Sequence, residues 1–137
     1  MEAPKLAPFL TFCGKAEEAM KFYTSALPNA EIKELVLFGK NHPYAKEGEE
    51  NLVLFGSLSI AGYEIMFQDM GSAHAVPSFS WSTSLYIKCD DEAEFDAIFN
   101  ALSQGGVVMM GPESVGHIRK CAWITDKYGI TWQPVWE

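Results

Sequence analysis

The chain has 137 residues, enough for one domain with a substantial core and too few for two conventional domains separated by a cleft. Its formal net charge is −8, and only Arg119 and Lys120 are adjacent basic residues, so no basic stripe is available for a nucleic-acid backbone. The longest apolar run is too short to cross a bilayer. We therefore expect a cytoplasmic protein with no nucleic-acid and no membrane partner.

The first half of the sequence predicts the order β-α-β-β-β. A β-prone run at Pro8–Phe12 precedes Ala16–Leu27, where apolar residues recur at the i, i+3, i+4, i+7 spacing of a helix with one face in the core. Three further strands are predicted at Glu31–Phe38, Asn51–Ala61 and Tyr63–Gln68. The connection 39–50 is long for a hairpin, and it is either a solvated loop or a functional one.

The second half repeats this order. A strand at Thr83–Cys89 is followed by Asp91 and Glu94, which form a capping box for a helix that Gly105-Gly106 ends. Three more strands are predicted at Val107–Met110, Arg119–Thr125 and Ile130–Trp136. The segment between the first two, Gly111 to Ile118, is predicted as a hairpin loop.

The repeated order indicates a duplicated module of roughly 70 residues. A sheet covered by one helix leaves its other face bare, and two such modules can curve around a cavity. We therefore predict a single α+β domain of tandem βαβββ modules with a curved mixed sheet around a cavity. The modules span 1–70 and 82–137, with a linker at 71–81.

Several segments resemble one family. Pro8–Phe12, Ala16–Ala19, Phe22-Tyr23 and Asp126–Gln133 are similar to segments of PhnB-like proteins, which belong to the vicinal oxygen chelate superfamily together with glyoxalase I, extradiol dioxygenases and the fosfomycin and bleomycin resistance proteins. The resemblance covers nearly the whole chain. It implies the tandem βαβββ fold and a homodimer.

Members of this subfamily often carry the label of a 3-demethylubiquinone 3-methyltransferase. The common class of S-adenosylmethionine enzymes binds the nucleoside with a Gly-rich turn that follows a strand and opens a helix. The only comparable stretch, Gly56–Gly62, lies between predicted strands with no helix after it. We therefore expect no methyltransferase activity.

The resemblance also implies where metal ligands would lie, since the metal enzymes of the superfamily place His and Glu on the first and last strands of each module. Here the first-strand positions fall on Pro8 and on residues 82–85, and the last-strand positions fall on Met66 and Gln133. Proline, small hydroxyls, a thioether and one amide do not form a divalent site. We expect no metal and no cofactor.

Groups for catalysis are few. His117, in the predicted hairpin loop, is the histidine best placed to reach a cavity. Glu64 lies within an apolar strand, and it is a general base if its side chain faces the cavity or a surface residue if it faces outward. We interpret Cys13, Cys89 and Cys121 as reduced, packed thiols.

The alternation of side chains along the strands predicts the lining of a pocket. Its members are Leu10, Phe12, Tyr86, Trp123, Thr131 and Gln133. Gln133 would orient a carbonyl or hydroxyl while the apolar walls supply binding energy. In the opposing interpretation these residues close a hydrophobic core and leave no cavity. Trp132, Pro134 and Trp136 would point to the other side.

The leading functional hypothesis is a metal-free protein that binds a small aromatic or amphipathic molecule, as the bleomycin resistance proteins sequester theirs. One alternative is an enzyme of the superfamily, of lyase, isomerase or dioxygenase type, with unmapped ligands or with Glu64 or His117 as base. Another is a dimeric regulator that presents Phe79 and Trp81 of the linker to a partner.

Overall fold

The computed structural model describes residues 3–40, 42–43 and 46–137. The chain divides into two compact units, one ending at Pro77 and the other beginning at Ser78. This boundary falls inside the segment 71–81 predicted as a linker. Each unit has the predicted order β-α-β-β-β. Within the described ranges, no helix has the length and apolar character of a membrane span.

The first unit contains one helix and a four-stranded mixed sheet, here called the first sheet. Its elements are β1 (Phe9–Phe12), α1 (Ala16–Ala26), β2 (Ala30–Leu37), β3 (Val53–Ile60) and β4 (Tyr63–Asp69). The strand order is β1-β4-β3-β2, with β1 parallel to β4 and the other pairs antiparallel. The two ends of the predicted connection 39–50 are bonded to each other, because Gly39 N–H donates to the Glu50 carbonyl. Asn41, Tyr44 and Ala45 within it lie outside the described residues.

The second unit repeats this topology in the second sheet. Its elements are β5 (Ser84–Cys89), α2 (Glu92–Ser103), β6 (Val107–Val115), β7 (Ile118–Thr125) and β8 (Thr131–Trp136). The order is β5-β8-β7-β6, and β5 is parallel to β8. The prediction of a loop from Gly111 was wrong, because β6 and β7 stay paired through register shifts as far as Val115 and Ile118. Only a tight turn remains between them.

The predicted capping box of α2 is confirmed. Asp91 Oδ1 accepts the Glu94 N–H at 2.8 Å, and Glu94 Oε1 accepts the Asp90 N–H at 3.2 Å. These bonds satisfy donors that the first turn of a helix leaves without intrahelical partners. The apolar stripe of this helix buries Phe95 and Ile98 completely.

The helix α1 packs closely on the first sheet. Tyr23 lies against Phe67 of β4, with ring centroids 6.1 Å apart, and Phe67 stacks with Phe12 of β1 at 5.8 Å. Gly56 of β3 allows this approach, because a Cβ there would lie only 2.7 Å from the sulfur of Met20. The buried core of the unit therefore occupies the helix-facing side of the sheet.

A buried carboxylate joins three segments of the first unit. Asp69, at the end of β4, is only 3% exposed. Its Oδ1 accepts the N–H groups of Gly14 and Ala16 at 2.8 and 3.0 Å, and its Oδ2 accepts the N–H of Val53 at 3.0 Å. The side chain thereby connects the start of α1 and the start of β3 to the end of β4.

Asp126 has a similar role at the turn before β8. Its Oδ1 accepts the N–H groups of Tyr128 and Ile130 at 2.8 and 3.1 Å, and its Oδ2 accepts the indole N–H of Trp132 at 2.9 Å. These bonds explain why an aspartate, a turn and a tryptophan occur together in Asp126–Gln133. They also fix the start of the strand that carries Gln133.

Candidate functional site

The two faces of the second sheet are distinguished by α2. On β7, Lys120 reaches Asp96 of α2 at 2.9 Å and lies over the ring of Phe95. Because side chains alternate along a strand, Ala122 and Ile124 share this helix-facing side, and Trp132 pairs with Ile124. Trp132, Pro134 and Trp136 therefore face the helix, as the alternation predicts.

The opposite side, here called the helix-free face, consists of three rows of side chains that cross the sheet. The first row contains Val107, Thr125, Thr131 and Ser84, the central row Met110, Trp123, Gln133 and Tyr86, and the third row Glu113, Cys121, Val135 and Lys88. In the central row, the amide of Gln133 lies between the aromatic side chains of Trp123 and Tyr86. This row is the candidate site.

The amide of Gln133 is held by one hydrogen bond. Its Nε2 donates to Ser84 Oγ at 2.5 Å, and both side chains are half-buried. Its Oε1 accepts no hydrogen bond from the part of the chain that the structure describes. The hydroxyl of Ser84 keeps its own proton to donate. The pair therefore offers one acceptor and one donor to a bound molecule.

Three aromatic side chains lie in the central row or in contact with it. The phenol of Tyr86 is 59% exposed. The ring of Trp123 contacts that of Trp81, with centroids 5.9 Å apart and planes at 40°. Trp81 is 56% exposed, although it packs on its neighbour. Large rings that remain this accessible offer area that a planar ligand can cover.

In the two rows that flank the central row, some of the polar groups are buried or interact with each other. The hydroxyls of Thr131 and Thr125 lie 2.8 Å apart, and Thr125 donates to the sulfur of Met109. In the third row Cys121 is buried, and burial, followed by the charge of Glu113, raises the pKa of its thiol. The thiol therefore stays protonated near neutral pH and is a poor nucleophile.

The structure brings four of the predicted lining residues together, and these are Tyr86, Trp123, Thr131 and Gln133. Thr131 is only 1% exposed, so it packs within the face and offers almost no surface to a ligand. Leu10 and Phe12 lie elsewhere: β1 pairs with β4 so that Leu10 is opposite Phe67, on the side covered by α1. Their predicted placement on a pocket wall is corrected, because Phe12 is a core residue at 4% exposure.

The two candidate bases lie in different units. Glu64 is on the helix-free side of the first sheet, half-buried, and its Oε2 accepts a hydrogen bond from Ser57 at 2.9 Å. His117 lies in the turn between β6 and β7 with a side chain that is 79% exposed, and its Nε2 is 3.7 Å from Glu137 Oε1. Neither belongs to the central row.

Trp81 is a member of the site that the sequence pattern did not reveal. It lies in a turn outside any strand, where alternation gives no signal, and a bond from Ser82 N–H to Ser80 Oγ shapes that turn. Phe79 lies beside Gly129 of the same unit. Cys13 corrects another expectation, because it is exposed, whereas Cys89 and Cys121 are buried as predicted.

The side chains present do not fit a divalent metal. The parallel pairing of first and last strands places Phe9 opposite Met66 in one sheet and Tyr86 opposite Gln133 in the other. These positions offer an amide, a phenol and a thioether, which are poor ligands for Mn²⁺, Fe²⁺ or Zn²⁺. Residues 3–40, 42–43 and 46–137 contain no cluster of three His, Cys, Asp or Glu side chains able to hold an ion. We derive no chemical step through a metal.

Comparison with known proteins gives the same architecture over nearly the whole chain. A family model described as 3-demethylubiquinone-9 3-methyltransferase matches residues 4–135. The structure of a PhnB protein from Bacillus cereus is 36% identical, with a TM-score of 0.86 over 98% of this chain and 100% of that one. Protein YjdN of Escherichia coli is 26% identical over 93% of this chain and 91% of its own length.

A more distant structure shows the wider fold. A glyoxylase/bleomycin resistance protein/dioxygenase domain from Frankia is 11% identical, with a TM-score of 0.66 over 99% of this chain and 98% of that one. At this identity the likeness concerns the fold alone. The family model and the structure from Bacillus cereus show that the chain belongs to the 3-demethylubiquinone-9 3-methyltransferase family of PhnB-like proteins.

Proposed function

We propose that this protein binds a small planar aromatic or amphipathic molecule, without a metal, on the helix-free face of the second sheet. The observation that carries the proposal is the central row, in which the amide of Gln133 lies between Trp123 and Tyr86. Binding sites for small molecules combine apolar walls with a few placed polar groups. The central row has both features.

The aromatic residues supply the binding energy in this proposal. Tyr86 and Trp81 are each more than half exposed, and a ligand ring that covers part of their surface gains about 25 cal/mol for each Å² of apolar area removed from water. Offset or tilted contact between rings adds about 0.5–1.5 kcal/mol.

The polar groups supply orientation. Because the Nε2 of Gln133 is bonded to Ser84, its Oε1 is turned toward an incoming donor, such as a phenol hydroxyl or an amide N–H. The Ser84 hydroxyl is then a donor for an acceptor on the same ligand. A site of this kind favours a molecule that carries a donor and an acceptor near one edge of a ring.

The family description names a methyltransferase, and this activity is not part of the proposal. A nucleoside cofactor of the common class needs a Gly-rich turn between a strand and a helix. In the described residues, Gly56 belongs to the interior of β3 and Gly62 to the hairpin turn that leads into β4, so no helix follows either glycine. Neither glycine therefore lies in a turn of that kind.

Variants of the central row test the proposal. With 2-naphthol as probe in equilibrium dialysis, we expect Gln133→Leu to weaken binding about threefold to tenfold through the lost hydrogen bond. Tyr86→Ala is expected to weaken it about tenfold. Tyr63→Ala is the matched control, because Tyr63 is an 81% exposed tyrosine of the first sheet. Equal losses for Tyr63→Ala and Tyr86→Ala, or no binding by the unmodified protein, would refute the proposal.

An enzyme is the second candidate, favoured by the half-buried Glu64 and its bond from Ser57. A panel of hydroxylated aromatic compounds and aromatic amides incubated with the protein and followed by mass spectrometry separates the two. If the protein converts a compound, and this activity is lost in Glu64→Gln but kept in Gln133→Leu, the protein is an enzyme that depends on Glu64. Recovery of every compound unchanged, together with binding at the central row, supports the binding function.

A further inference from the structure

Lys88 extends the candidate site along β5. Ser84, Tyr86 and Lys88 alternate onto the helix-free face, and Lys88 is paired in register with Val135 of β8. Its Cα is two residues from that of Tyr86, roughly 6.6 Å along the strand. The ammonium group at the end of a flexible four-carbon stem can therefore reach a molecule that contacts Tyr86.

The charge of Lys88 is not neutralised by the side chains around it. The unit has three other Lys or Arg residues: Lys120 is paired with Glu92 and Asp96, Arg119 lies over the ring of Trp136, and Lys127 lies over that of Tyr128. Lys88 forms no ion pair and no ring contact with any described residue.

The acidic residues at the ends of β5 and β8 and in the third row do not change this. Asp90 and Glu137 directly follow β5 and β8, and within the described residues neither forms an ion pair with Lys88. The acidic residue of its own row, Glu113, is on β6, three strand spacings away, which is roughly 14 Å. Lys88 is therefore an unpaired cation beside an aromatic site, and it favours an anion there although the chain has a net charge of −8.

We propose that the ligand of the helix-free face is a planar aromatic acid. Its ring contacts Tyr86 and Trp123, a hydroxyl or carbonyl meets Gln133, and an anionic group, a carboxylate in the simplest case, pairs with Lys88. This inference rests on the proposed function and adds the charge of the ligand to it. Because the net negative charge of the chain disfavours anions in general, the gain from the anionic group depends on Lys88.

Two probes that differ in one anionic group test this inference. Equilibrium dialysis at pH 7 and low salt compares 2-naphthol with 6-hydroxy-2-naphthoate. We expect the naphthoate to bind about threefold more tightly, as for an exposed ion pair. The advantage should shrink in high salt, because mobile ions screen exposed charges.

Variants of the lysine locate the effect. The ratio of the two dissociation constants should fall to one or below in Lys88→Gln and should persist in Lys88→Arg. Lys127→Gln is the matched control, since this lysine of the same unit lies over Tyr128, and it should keep the ratio of the unmodified protein.

The outcomes distinguish a failure of this inference from a failure of the proposed function. If the unmodified protein binds both probes equally, or if the ratio persists in Lys88→Gln, the proposal of an anionic ligand is wrong. The proposed function still stands in that case, because 2-naphthol binds. Failure of both probes to bind overturns both proposals.

Discussion

Replacing Asp69 tests whether one buried carboxylate organises the first unit. In Asp69→Ala the N–H groups of Gly14, Ala16 and Val53 lose their acceptor. The bonds from Ala16 and Val53 are buried, and each buried donor left without a partner costs about 1–3 kcal/mol. Gly14 lies nearer the surface, where water can replace the carboxylate. We therefore expect a loss of about 4 kcal/mol in the free energy of unfolding.

This loss is large enough to measure by calorimetry and circular dichroism. For a chain of 137 residues, a change of about 4 kcal/mol corresponds to a fall of roughly 14 °C in the melting temperature. Asp69→Asn should lose about half as much, because its carbonyl can keep the bonds from Gly14 and Ala16 while its NH₂ group faces the Val53 N–H.

The control for Asp69→Ala is an exposed carboxylate with a shared partner. Asp96→Ala leaves Lys120 paired with Glu92, so the melting temperature should change by less than about 2 °C. If Asp69→Ala shifted the melting temperature no more than Asp96→Ala does, the role assigned to the buried carboxylate would be wrong.

Further predictions concern thiols and the aromatic pair. One thiol, that of Cys13, should react rapidly with a thiol reagent at pH 8, and Cys13→Ser should abolish this phase. Burial raises the pKa of Cys89 from 9.0 to about 11. Because the thiol of the unfolded chain then loses its proton at lower pH than that of the folded chain, the free energy of unfolding should fall between about pH 9 and 11. The fall should be smaller in Cys89→Ala. Trp81→Phe should remove the exciton signal of the Trp81–Trp123 pair in the circular dichroism spectrum, whereas Trp136→Phe should leave it.

The sequence was informative where the signal is local. The capping box at Asp91 and the alternation of β8 could be predicted because each depends on neighbours within a few residues. The side on which Phe12 lies could not, since it depends on the parallel pairing of β1 with β4, more than fifty residues away. The contact of Trp81 with Trp123 is equally non-local, and no periodicity reports it.

The end of β6 shows a second reason for failure. Gly111-Pro112 is typical of a turn, yet Gly111 lies within the strand. There its φ is +86°, and an added Cβ would collide with the carbonyl oxygen of Cys121. The glycine is therefore needed for a close approach between two strands at a register shift. Composition alone does not distinguish this use of glycine from a turn.

The duplication also explains why one unit carries the candidate site. Parallel pairing brings the first and last strands of each sheet together at comparable positions, Phe9 with Met66 and Tyr86 with Gln133. The first pair has only apolar atoms, whereas the second has a phenol and an amide that can orient a ligand. The two copies of one topology thus differ in chemistry at this cross-strand pair, and a proposed stoichiometry of one ligand per chain follows from that difference.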